Sequence, residues 1–415
     1  GLVLDVAPLR LDRDYRWLWT GQAVSGTGNQ ITRIALPYQV YVLTGSTLAI
    51  AALTAIQLVP ILIFVLGAGS VADAVDRRKL LLVTQIGLAA CSLLLVLLAL
   101  SRAPSIAAIF AVAFVAAALG SIDQPARSSA TPRLVPPSRL PAAIALGQLN
   151  FQLASVVGPA VGGVLLATVG LSGAYLVDLI SYGASIAGIL AIAPMPPVGV
   201  VARPGLAAVR EGLRFAAQRR VILSTFVIDL DAMIFGMPTS LFPVLALDVF
   251  RTGPAGLGLL AAAPAVGAFL GALLSGWVSM VRRTGRAVVV AVVIWGVAIA
   301  AFGLSTFSFA LALVFLGIAG AADVLSAVFR STIVQLETPD ELRGRVTAIH
   351  IMAVTSGPRL GDIEAAAVAA AVGAQFSVVS GGVLCVAGVV AVVRAFPELM
   401  RHVTGGDGSI SSPPR

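Results

Sequence analysis

Nine ionisable side chains sit in stretches that are otherwise apolar: Arg33, Asp123, Asp178, Asp229, Asp231, Asp323, Arg359, Asp362 and Glu364. A charge at the centre of a bilayer costs at least about 2.5–3.5 kcal/mol, so such groups are expected to face a wet cavity or a partner. The chemistry open to a carboxyl in a semi-dry cavity is proton carriage, because desolvation disfavours its charged form. Asp123 is the first choice for a carrier. Arg33 could oppose it, expelling the proton when near and letting it return when displaced. The alternative is a fixed pair between Asp123 and Arg127, one helical turn away. Asp229 and Asp231 lie two residues apart, about 200° around a helix, so only one can face a cavity. Asp323 is the corresponding candidate in the second half of the chain. Asp178 is expected near an outer helix end, capping or snorkelling. Arg359 and Asp362, three residues apart, should meet on one helix face and neutralise one another.

Other chemistries are poorly supplied. The only lysine is Lys79 and no Gly-x4-Gly-Lys-Ser/Thr run exists, which excludes ATP hydrolysis. His350 and His402 are the only histidines, so no metal site is expected. A serine protease of the membrane needs a base with a serine partner, and an aspartyl one needs two motif-borne aspartates; Gly361-Asp362 alone does not supply them. No cofactor is expected, and a proton gradient is the energy source that remains.

The elements that must position these groups follow from composition. The 415 residues are 58% apolar and 11% charged, with mean hydropathy +1.00. A soluble domain carries about 25% charged residues, so the bilayer is the natural solvent for this chain. A β-barrel needs alternating apolar and polar residues, which runs such as Leu80–Leu100 and Ala287–Leu304 lack. Apolar stretches predict twelve spanning helices near 17–43, 47–71, 80–100, 105–128, 141–168, 172–193, 221–248, 255–281, 287–305, 307–335, 346–372 and 375–396. The expected fold is therefore an all-α integral membrane protein with two pseudo-symmetric six-helix bundles. They would occupy 1–193 and 221–396, joined by a linker at 194–220 and followed by a tail at 397–415.

Charge sets the expected orientation. Arg77, Arg78, Lys79, Arg133, Arg139, the Arg203–Arg220 stretch, Arg282, Arg283, Arg286, Arg343 and Arg345 would all lie on one side. Only Arg102 and Arg251 fall in loops on the other. The positive-inside rule then predicts cytoplasmic termini. The net charge of +8 is thus topology, and no nucleic-acid partner is expected. One lysine against so many arginines, with heavy Ala, Val, Gly and Leu usage, suggests a high-GC bacterial genome and hence a bacterial plasma membrane. The two cysteines, Cys91 and Cys385, both fall in apolar runs and read as packing residues.

The halves repeat. Gly69-Ser-Val-Ala-Asp73 through Arg77-Arg78-Lys79 recurs in outline from Gly276 to Arg286, 207 residues on. Gly158-Pro159-x-x-Gly162-Gly163 recurs as Gly357-Pro358-x-x-Gly361-Asp362, and Pro60 and Pro264 interrupt corresponding spans. Parallel six-helix repeats with a site between them at the midplane are a known transporter plan.

These runs resemble the major facilitator superfamily. Gly69, Asp73, Arg77 and Arg78 match its gating loop between spans two and three, Gly-x-x-x-Asp-Arg-x-Gly-Arg-Arg, with Ala74 and Asp76 departing from the pattern. Ala145, Ala154, Gly158, Pro159, Gly162 and Gly163 fall at the spacing of its antiporter motif, with alanine for the first two glycines. Leu119-Gly120-Ser-Ile-Asp123, Thr131-Pro132-x-Leu134-Val135 and Glu337-Thr338-Pro339 through Arg343-Gly344-Arg345-Val346 are similar to the subgroup of enterobactin-exporter-like and multidrug exporters. The resemblance implies a secondary exporter of an amphiphilic small molecule in exchange for protons, working by alternating access as a monomer. Uptake or uniport on the same fold is the alternative, and an intramembrane enzyme a remote one. In that fold spans one, four, seven and ten line the cavity. Cargo contacts are then expected from Asn29, Gln30, Tyr38 and Tyr41 in span one and Gln148, Asn150 and Gln152 in span five.

Overall fold

A computed structural model describes residues 5–65, 75–196 and 206–403. Among these the chain forms twelve long helices and no strand. The first six are α1 Arg13–Thr44, α2 Thr47–Val65, α3 Arg77–Leu100, α4 Ile106–Leu134, α5 Leu140–Thr168 and α6 Gly170–Leu190. The second six are α7 Arg220–Phe235, α8 Gly253–Leu273, α9 Thr284–Leu304, α10 Phe309–Glu337, α11 Asp340–Val372 and α12 Ala374–Ala395. Short helices at Ala7–Leu11, Leu206–Gln218 and Pro397–Arg401 flank them. Among the described residues nine segments are long and apolar enough to cross a membrane on length and composition alone. The others are α1 and α11, which carry much of the polar character of the site, and α2, described as apolar through Ile63.

The two sets of six pack alike. Helix α1 lies against α5 and α6, as α7 lies against α11 and α12; α4 lies against α2 and α3, as α10 lies against α8 and α9. The local chemistry repeats too. Ser105 accepts from the Ala108 amide to cap α4, and Ser308 accepts from the Leu311 amide to cap α10, at a spacing of 203 residues. Gly170 and Gly373, again 203 apart, adopt φ of 71° and 95° at the junctions α5–α6 and α11–α12. Such angles strain any residue with a Cβ. The halves meet along α5 against α8 and α2 against α11.

Large apolar side chains such as Val83, Ile180, Leu273 and Leu274 point outward, as hydrocarbon solvent allows. One face gathers both described chain ends. There Asp12 pairs with Arg139 at 2.7 Å, Asp14 accepts from the Ala193 amide, and Arg220 pairs with Glu398 at 3.0 Å. This is called the terminal face below, and its opposite the far face.

Two expected spans are not single helices. The segment expected at 221–248 breaks after Phe235 and continues as a 3₁₀ turn Thr239–Leu241, a helical turn Phe242–Val244 and a π-turn Leu245–Val249. Gly236 and Pro238 account for the break, since proline withholds an amide and disfavours helix in the residue before it. The expected span 255–281 ends as α-helix at Leu273 and runs on as the 3₁₀ segment Ser275–Met280.

Candidate functional site

Asp123 sits on α4 near the terminal face, and Arg127, one turn on, is its partner at 2.5 Å. Thr84 and Gln85 of α3 donate to its other oxygen at 2.6 and 3.0 Å, while Arg127 donates to Ser185 of α6 at 3.3 Å. The carboxylate is thus neutralised and well hydrogen-bonded. Arg33 is not its partner, because α1 carries that residue toward the far half of the bundle. There it remains accessible although protein surrounds it, with Gln30 accepting from it and Asp362 and Arg359 of α11 within reach of its charge.

The second half answers with a less satisfied cluster. Arg330 on α10 stands 203 residues after Arg127, and its charge is met by Asp229 of α7 at 2.7 Å, both side chains only 2% exposed. His350 of α11 approaches the other Asp229 oxygen at 4.0 Å, its ring stacked on Phe226. Asp323, two turns before Arg330 on the same helix, lies within electrostatic reach of both Arg330 and Asp229. Arg330 Nε and Nη1 and both Asp229 oxygens lack a well-directed hydrogen bond among the described residues. Two carboxyls, one guanidinium and one imidazole therefore meet here, Asp229 and Arg330 almost dry and Asp323 and His350 partly exposed. Asp231, as its spacing requires, points elsewhere and packs against Gly388 of α12.

Asp178 is not at an outer helix end. It is 1% exposed in mid-membrane and accepts from Thr32 of α1 at 2.6 Å and Ser92 of α3 at 2.5 Å. Arg359 and Asp362 do not form the expected pair. Asp362 instead accepts from the Thr239 hydroxyl and the Ser240 amide, each at 2.7 Å, at the break after α7, and Arg359 donates to the Thr355 carbonyl of its own helix at 2.8 Å. Exposed amide and hydroxyl groups at the broken helix compete for the carboxylate and win.

The antiporter-motif residues form a seam. A Cβ on Gly158 would lie 2.4 Å from Gln30, and one on Gly162 would lie 2.9 Å from Ile34, both of α1. One on Gly163 would lie 2.6 Å from the Cα of Gly258, and one on Gly258 2.6 Å from the Pro159 carbonyl, so α5 and α8 touch backbone to backbone toward the far face. Close by, the Tyr41 hydroxyl of α1 donates to Asp248 after α7, a second link between the halves.

Of the other cargo candidates, Asn29 donates to Tyr182 at 3.2 Å and Gln30 to Ser155 at 3.0 Å. Tyr38 is half-buried against the apolar core, Gln148 is exposed and Gln152 is half-buried. Asn150 is buried and turns to the Trp19 carbonyl at 3.5 Å, which removes it from any cargo. Of the gating loop, Gly69 and Asp73 lie outside the described residues. Arg77 donates to Ser129 of α4, while Arg78 donates to the Ile189 and Leu190 carbonyls, where a cation suits the C-terminus of α6. Asp76, the departure from the loop pattern, caps α3 by accepting from the Arg78 amide at 2.9 Å.

Sequence reading missed Arg330 and the nearness of His350 to Asp229. The 203-residue offset from Arg127 was the signal for the first.

Two six-helix bundles, each with a buried charge pair among its helices, form the fold of a membrane transporter. The profile of the transmembrane secretion effector family matches residues 4–403. The multidrug efflux pump Tap of Mycolicibacterium fortuitum is 32% identical over 84% of this chain and 87% of its own length. The enterobactin exporter EntS of Escherichia coli O157:H7 (strain EC4115 / EHEC) is 26% identical over 98% of this chain and 99% of its own. A solved bacterial homologue of the human lysosomal transporter Spinster superposes with a TM-score of 0.71 at 16% identity, covering 94% of this chain and 97% of its own. The chain belongs to the transmembrane secretion effector family of major facilitator transporters.

Proposed function

We propose that this protein exports an amphiphilic small molecule (a drug, siderophore or secondary metabolite) in exchange for protons, with both termini on the cytoplasmic side of a bacterial plasma membrane. The observation that carries the reading is the Asp229–Arg330 pair with Asp323 beside it. One guanidinium cannot neutralise two carboxyls, and an uncompensated charge in a dry site is strongly disfavoured. One exchangeable proton in the cluster restores neutrality. Asp229 and Arg330 lie on different helices, so relative movement of α7 and α10 would change how well the pair is made and hence where the proton rests. Asp123 is the weaker carrier, since its pair lies on one helix and its oxygens are already filled. The exporters Tap and EntS support the outward direction, and the arginines of the terminal face support the orientation. The largely aliphatic composition suits an amphiphile, and a monomer already holds both halves.

The reading is tested in everted membrane vesicles energised to acidify their interior, with a pH-sensitive dye and a panel of amphiphilic compounds. Compound-induced loss of the gradient, removed by Asp229→Asn or Asp323→Asn and kept in Asp123→Asn, is expected. Substrate flux down its gradient with no proton response would establish uniport and sink the antiport reading. Single cysteines at Ser101 and Ser275, in a chain lacking Cys91 and Cys385, report orientation by labelling of intact cells; only the first should react.

A further inference from the structure

We infer that the groove between α9 and α10 at the terminal face holds one anionic phospholipid of the membrane. The groove encloses about 470 Å³ and is lined by Val290 and Ile294 of α9, Ile318 and Leu325 of α10, and Trp277 at its mouth. Its floor is lowered by small residues, Ala287 and Ala291 on one helix and Ala321 and Ala322 on the other. Everything along it suits an acyl chain. Its mouth does not: Arg283 and Arg286 lie there, three residues apart and both exposed. The Arg283 guanidinium has no hydrogen-bond or ion-pair partner among the described residues, its backbone carbonyl alone accepting from the Ala287 amide. Arg286 donates only through Nε, to the Met400 carbonyl at 3.4 Å, which leaves both terminal nitrogens free.

Two guanidiniums over an apolar slot match a phosphate over an acyl chain. Guanidinium binds phosphate oxygens in a bidentate fork. Basic pockets between spanning helices on the cytoplasmic side are suited to anionic head groups. A zwitterionic lipid brings its own cation to the same spot and so gains less. The site also touches the transport machinery. Trp277 meets Phe329 with ring centroids 6.3 Å apart, and Phe329 precedes the buried Arg330. A seated lipid therefore presses on the helix turn that holds the Asp229–Arg330 pair.

The test is lipid titration of the delipidated full-length protein in detergent, read by native mass spectrometry, with dioleoyl phosphatidylglycerol against dioleoyl phosphatidylcholine. Detergent has no leaflets, so the result does not depend on the orientation or the proton coupling proposed above. One phosphatidylglycerol should bind with about tenfold preference, equivalent to about 1.4 kcal/mol. Arg283→Ala with Arg286→Ala should remove the preference, and Ile318→Trp, which fills the slot and spares both arginines, should remove the binding. Equal binding of the two lipids, a preference that survives the double alanine change, or displacement of the lipid by millimolar inorganic phosphate alone would overturn the proposal. Folding of each variant is checked by its thermal transition.

Discussion

Replacing Arg330 by methionine should be the most damaging single change in the second half. The guanidinium and the Asp229 carboxylate are each 2% exposed and 2.7 Å apart. Removing one member of such a pair strands the other and typically costs about 3–5 kcal/mol. Asp323 shares the same cation, so the loss should fall at the upper end of that range. Replacing both members by apolar residues of similar volume is often neutral, so Asp229→Leu with Arg330→Met should recover the part of the loss that comes from stranding Asp229, while Asp323 stays without its cation. A coupling of at least about 2 kcal/mol in the double-mutant cycle follows. The assay is built into the chain, because Cys91 and Cys385 are both buried free thiols. A thiol-reactive fluorophore stays dark on the folded protein and reports its unfolding as detergent samples are heated. The single variant should melt several degrees below the parent and the double should return toward it. Additive losses in the double variant would refute the reasoning, since they would mean that the two residues stabilise the fold independently.

Three further outcomes are expected. Gly163→Ala places a Cβ 2.6 Å from the Gly258 backbone; overpacking of that kind costs about 1–3 kcal/mol. It should shift the population roughly 5- to 150-fold away from the arrangement in which α5 and α8 touch, read as faster labelling of a cysteine introduced at Gln30. Tyr41→Phe removes the hydroxyl that joins α1 to Asp248 and should raise far-face labelling by a smaller factor, with unchanged thermal stability. Asp362→Ala leaves the Thr239 hydroxyl and Ser240 amide without their acceptor; a loss of about 1–3 kcal/mol is expected, seen as a lower melting point, whereas Arg359→Ala should melt within about 1 kcal/mol of the parent.

The fold was legible because its signals are collective. Long apolar runs and a repeat of about 200 residues are properties of dozens of positions, and lipid exposure tolerates no alternative to closed backbone hydrogen bonding. The antiporter-motif glycines were legible for a related reason: small residues at helical spacing predict close approach, and Gly158, Gly162 and Gly163 all provide it. Individual charge partners were not legible. Arg127 and Arg33 are both plausible neighbours of Asp123 by type, and only the rise of α1 through the bundle separates the second from it. Arg359 and Asp362 satisfy the i,i+3 rule yet do not pair, because spacing along one helix is silent about a broken neighbour. The break itself was written in Gly236 and Pro238, but the apolar character of 221–248 masked it.

The break after α7 also decides which contacts each part of the span makes. Asp362 fastens the turn beyond Phe235 to α11, and Ser240 returns a bond to the Asp362 carbonyl at 2.9 Å. The short segment that follows carries Asp248, the partner of Tyr41. The segment beyond Phe235 is therefore fastened to α11 through Asp362, while α7 itself carries Asp229 and packs on both α11 and α12. Gly236 stands at the junction, where the Trp295 indole donates to its carbonyl at 2.8 Å. The two parts of one span are thus held by different contacts, Asp229 to Arg330 in the first and Thr239 and Ser240 to Asp362 in the second.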